Sequence, residues 1–145
     1  MLPTSANVLA GHQRCFELRK GLKTNASVRA WSETVEPSVL HLSVINIEEI
    51  DIGIASLARK DSRTAQILNT GFEQYLLVEF ATRILPIDLA PVRASALMHV
   101  PNPGPIRDYL IAATAVSRRM TVVTRNTADF QRTGVPCLNP WNFKQ

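Results

Sequence analysis

Val39-Leu40-His41-Leu42-Ser43-Val44 reads as a short strand, and residues 45–59 follow it without a break. The change of period at that junction decides the fold. Up to Val44 the residues are β-branched or apolar in the manner of a buried strand. From there on Ile47, Ile50, Ile54 and Leu57 recur at steps of three and four, which is one face of a helix. Ser43 is placed to cap that helix, because its hydroxyl can accept from the amides left open in the first turn.

The same alternation continues along the chain. Residues 62–82 carry Ile67, Leu68, Phe72, Tyr75, Leu76 and Phe80 among helix formers and predict one or two helices before a strand at 83–87. A helix is expected over 89–98. The Pro101-Asn102-Pro103-Gly104-Pro105 cluster must then be a loop, since proline lacks the amide a helix needs. Residues 106–118 read as helix, 120–124 as a β-branched buried strand, 124–130 as a polar loop, and 134–138 as a last short strand. Strands alternating with helices imply an α/β fold with a mainly parallel sheet and helices on both faces.

A chain of 145 residues, 46% of them hydrophobic, can bury one core but not two ordinary ones. The longest apolar runs fall well short of the roughly 20 residues of a membrane span. Nothing near Met1 has the charged start of a secretory leader, so a cytoplasmic protein without a membrane segment is expected. Two cysteines, Cys15 and Cys137, lack metal-ligand spacing and read as reduced thiols. The net charge of +4 is compatible with a polyanion such as RNA, although the basic residues are scattered.

In open parallel sheets reactive groups gather beyond the carboxyl ends of the strands, which singles out three acids. Glu49 lies in the first turns of the helix after the 39–44 strand, on a face shared with Ile45, Ile52 and Gly53. Asp108 tops a stripe formed with Ile111, Ala112 and Ala115. Asp129 lies in the segment that leaves the 120–124 strand, where Thr124 and Asn126 are polar candidates for shaping a substrate site. Each acid alone has an ordinary reading: Asp108 at a helix N-terminus, Glu49 on a solvated face, Asp129 in a turn. Together they suggest a cluster that a divalent cation would neutralise. All-oxygen ligation suits Mg²⁺ or Mn²⁺, and His12, His41 and His99 show no zinc-like spacing. Phosphodiester hydrolysis is the chemistry that fits.

Four segments now carry a resemblance: Leu42 to Ile54, Arg107-Asp108-Tyr109-Leu110-Ile111-Ala112-Ala113-Thr114-Ala115, MTVVTRNTADF from Met120 to Phe130, and Asn139-Pro140-Trp141. In this order they resemble PIN-domain toxins of the VapC/FitB type, from about Glu17 to Trp141. The resemblance implies a three-layer α/β/α domain, usually a homodimer, that cleaves RNA with Mg²⁺ and is silenced by a cognate antitoxin. It also implies that Glu49, Asp108 and Asp129 are three of four acidic metal-binding and catalytic positions.

The fourth acid should stand first, where the family's opening strand ends in Leu-Asp-Thr-Asn. The direct match here is Ser5-Ala6-Asn7-Val8-Leu9, which puts Ser5 at the acidic position, and no Asp or Glu precedes Glu17. Another origin fits better. Asn7 to Phe16 can be encoded as AAT GTT CTT GCT GGA CAC CAA CGT TGT TTT, which one base later reads Met-Phe-Leu-Leu-Asp-Thr-Asn-Val-Val. Residues 1–16 are accordingly expected to be an aberrant, frame-shifted first segment and 17–145 the PIN-like domain. A carboxylate at about 4 Å from a dication contributes on the order of 8 kcal/mol of attraction at an effective dielectric near 20, most of it offset by desolvation. Two readings remain: a type II toxin that hydrolyses RNA, or a catalytically impaired PIN remnant that only binds antitoxin or dimerises.

Overall fold

The computed structural model describes residues 7–11 and 25–144. Five strands form one parallel sheet: β1 (Val8–Ala10), β2 (Leu40–Ser43), β3 (Ile84–Leu85), β4 (Thr121–Val123) and β5 (Cys137–Leu138), in the order β3-β2-β1-β4-β5. The first strand is central. Leu9 stands opposite His41 on one side and Val122 on the other.

Adjacent side chains of a strand point to opposite faces, and β1 uses both. Leu9 joins Ile111, Ala112, Val122 and Phe130 in a core beneath α5 (Ile106–Ser117) and α6 (Thr127–Gln131). Ala10 instead joins Leu42, Ile50, Phe72 and Phe80 beneath α2 (Val44–Ala58) and α3 (Ser62–Gly71) with its continuation. Val8 packs with Val123 and with Trp31 of α1 (Ala26–Glu33). The result is the three-layer α/β/α arrangement expected, with α4 (Leu89–Met98) packed against α5. Val8 and Leu9 thus supply a central strand where the family's opening strand is expected, although Ser5 and residues 12–24 lie outside the described residues.

The expected elements are present with trimmed ends. β2 spans Leu40–Ser43 and hands over to α2 at the capping residue Ser43. The 62–82 region is one continuous helical rod in which a π-type turn, Phe72–Leu76, brings Phe72 and Phe80 onto the sheet and leaves Ile67 and Tyr75 exposed. β3 is only two residues long. Two elements differ from expectation. The supposed loop after β4 contains α6, whose Phe130 is fully buried. Helix α1 was not anticipated; it buries only Val28 and Trp31, too few apolar positions to declare a period. Among the described residues no helix is long and apolar enough to cross a membrane.

Candidate functional site

The site begins with how β2 turns into α2. The Ser43 hydroxyl accepts from the Asn46 amide at 3.3 Å, while the Asn46 carboxamide oxygen accepts from the Ser43 amide at 2.7 Å. This reciprocal pair satisfies two donors that a helix start would otherwise leave open. The Asn46 side-chain nitrogen also donates to the Ala10 carbonyl at 3.1 Å, fastening the carboxyl end of β1 to the same turn. Glu49 follows less than one turn later, half-buried.

Helix α5 runs back antiparallel to β4, so its first turn lies at the same pole of the sheet. Asp108 is there, 6% exposed, above fully buried Ile111, Ala112 and Ala115. A cleft of about 630 Å³ opens between the two helices, lined by Glu48, Glu49 and Ile45 on one wall and by Arg107, Asp108 and Leu110 on the other. Across it the Arg107 guanidinium donates to Glu48 at 2.6 and 3.1 Å. Beside that carboxylate Arg107 is held even more firmly protonated than usual, with Glu49 adding to the effect. Nothing in the sequence marks Glu48 and Arg107 as a bridge, apart from a basic residue directly before Asp108.

Asp129 is not among the residues that line that cleft. It lies in the first turn of α6, and the Asn126 side-chain nitrogen donates to its carboxylate. The Thr124 hydroxyl, buried at the end of β4, accepts from the Asn126 amide at 3.0 Å. Thr124, Asn126 and Asp129 therefore form one local turn at the sheet's carboxyl edge, while Glu49 and Asp108 share the cleft. Among the described residues no set of three His, Cys, Asp or Glu side chains is close enough to hold a metal ion.

Comparison with known proteins decides the family. Residues 16–136 match the PIN domain family. The chain belongs to it. Toxin FitB of Neisseria gonorrhoeae is 34% identical, with 81% of this chain and 87% of the relative covered. The VapC ribonuclease Y4jK of Sinorhizobium fredii is 33% identical over 79% of this chain and 84% of its own. The crystal structure of FitAcB from Neisseria gonorrhoeae contains a chain that superposes with a TM-score of 0.82 at 29% identity, covering 94% of this chain and 99% of that one.

Within this PIN fold the residue at the carboxyl end of β1 is Gly11, not Ser5. Its amide donates to the Val123 carbonyl at 2.8 Å. A Cβ at Gly11 would come within 2.9 Å of the Thr124 Cβ and 3.1 Å of the Val123 carbonyl, so β1 and β4 approach too closely here for a side chain without a shift. Direct matching had aligned the motif by Asn7, which precedes the strand rather than following it. The donors that line the cleft are carboxylate oxygens without His or Cys, which suits a hard cation. One or two carboxylates are the usual protein contribution to Mg²⁺, with water and phosphate completing the shell. Glu49 and Asp108 fit that requirement.

Proposed function

We propose that this PIN domain is the toxin of a type II toxin and antitoxin pair and hydrolyses RNA phosphodiester bonds with Mg²⁺ or Mn²⁺. The observation that carries this reading is the pairing of Glu49 and Asp108 across one cleft, in a chain that resembles FitB and a VapC ribonuclease. Glu49 and Asp108 would hold the cation, and Asp129 would act from the neighbouring turn that Thr124 and Asn126 shape. When bound, the cation supplies a more acidic water and neutralises charge on the phosphate. The burial of Asp108 fixes its carboxylate in place, and the Arg107 guanidinium, held by Glu48 on the opposite wall, would lie beside the phosphate that the cation neutralises. A cognate antitoxin is the expected partner, since the matched structures are named as FitAB and VapBC complexes. A homodimer in the cytoplasm completes the reading.

Purified chain should cleave RNA only with Mg²⁺ or Mn²⁺ present, and Asp108→Ala should lower the rate at least about a hundredfold. Cleavage that survives that substitution would place the chemistry elsewhere.

Gly11 favours a second reading. With no carboxylate at the end of β1, the chain is an impaired PIN remnant that binds antitoxin or dimerises without cutting. We assign residues 1–16 to a frame-shifted first segment. Codons that cannot encode Leu-Asp-Thr-Asn in the shifted frame would rule this origin out. Expression without antitoxin separates the two functions, because growth arrest requires the nuclease.

A further inference from the structure

We propose that Arg125 and Trp141 form a stacking platform for the bases of single-stranded RNA at the carboxyl edge of the sheet. The inference rests on the RNA-directed reading above and names the part of the surface that would hold the strand.

The two tryptophans of the chain are used differently. Trp31 is 4% exposed and belongs to the core against Val8 and Val123. Trp141 is only partly buried, and the exposed Arg125 guanidinium lies 5.9 Å from its ring centroid. Asn139 braces both. Its side-chain oxygen accepts from the Trp141 amide at 3.0 Å, and its side-chain nitrogen donates to the Arg125 carbonyl at 3.3 Å.

The corner is therefore set before any ligand arrives. Arg125 leaves the carboxyl end of β4, and Trp141 follows that of β5 in a 3₁₀ turn, Pro140–Asn142. Both stand at the pole where α2 and α5 begin and where Glu49 and Asp108 meet. An indole face and a guanidinium plane are the surfaces on which unstacked bases lie, and the guanidinium can also pair with phosphate. Such stacking tolerates any base, so the platform would give affinity and direction to the strand without reading its sequence.

Binding can be measured apart from cleavage. Full-length chain in EDTA is titrated with a fluorescently labelled short oligouridylate, followed by anisotropy and by tryptophan emission. The expected result is quenching of the wild-type emission, affinity about tenfold weaker in Arg125→Ala and in Trp141→Ala, and largely retained in Trp141→Phe. Should Trp141→Ala fail to fold, Arg125→Ala and the loss of quenching in Trp141→Phe carry the decision, because Arg125 is exposed. Equal affinity in Arg125→Ala and wild type, or no binding at all, overturns the proposal. So does emission that responds to an antitoxin polypeptide but not to oligouridylate, which would make the corner a protein contact. A chain that binds through these residues yet never cuts RNA keeps the platform and loses the nuclease; cleavage with unaltered binding in the variants does the reverse.

Discussion

Asn46 is 2% exposed, yet its carboxamide serves the Ser43 amide, the Ser43 hydroxyl and the Ala10 carbonyl at once. Replacing it with alanine would strand all three in the interior, at a cost of about 3 kcal/mol. Thermal unfolding of Asn46→Ala should show a Tm lower by about 6 to 12 °C. Asp61 makes a prediction in pH. Its carboxylate accepts from the Thr64 hydroxyl at 2.5 Å and from the Thr64 amide at 3.1 Å. The hydroxyl bond first, then the amide bond, holds its pKa below the ordinary 3.8. The stabilisation is thus whole above 3.8 and is lost as pH falls through the lower folded value. Carboxyl NMR titration should place the Asp61 midpoint below 3.8, and Thr64→Val should raise it. At this scale Ser43 and Asp108 were legible, because a cap and an acid on an apolar stripe leave local marks. Asn46 and Arg107 were not: Asn46 reads as a polar residue early in a helix, and its bond to Ala10 joins the neighbouring strand 36 residues away.

Arg83 shows how one side chain can seat several elements. From the foot of β3 its guanidinium donates to the carbonyls of Pro37, Leu40 and Glu79, pairs with the Glu79 carboxylate at 3.0 Å, and covers the Phe80 ring at 4.4 Å. It joins the entry to β2 to the end of the long rod. Loss of those bonds in Arg83→Ala should cost about 2 kcal/mol, read as a lower urea midpoint with an unchanged slope. Elements with a strong period, α2, α5 and β4, were readable in the sequence nearly to their ends. Those that escaped, α1 and α6, are short and bury two and one side chains, so tertiary contact rather than pattern holds them.

The sheet places its first strand in the middle, and this governs the stability of the whole domain. Leu9 is fully buried between the layers with partners on both sides. Leu9→Ala should destabilise the protein by about 3 kcal/mol in denaturant titration, as a truncation in a site that cannot collapse. A loss below about 1 kcal/mol would mean that β1 is not seated as described. The layered architecture could be inferred from alternation alone. The identity of the central strand could not, because Val8-Leu9-Ala10 is too brief to stand out; only the family resemblance called for a first strand at Val8 and Leu9.

That central seat also dictates an order of events in folding. β2 precedes β4 by most of the described sequence, and β1 cannot be held on both sides until β4 exists. Until β4 is made, β1 can pair only with β2 and keeps its other edge open. Such long-range closure is slow and leaves the nascent protein prone to pairing with other chains. Refolding yield is accordingly expected to fall as protein concentration rises.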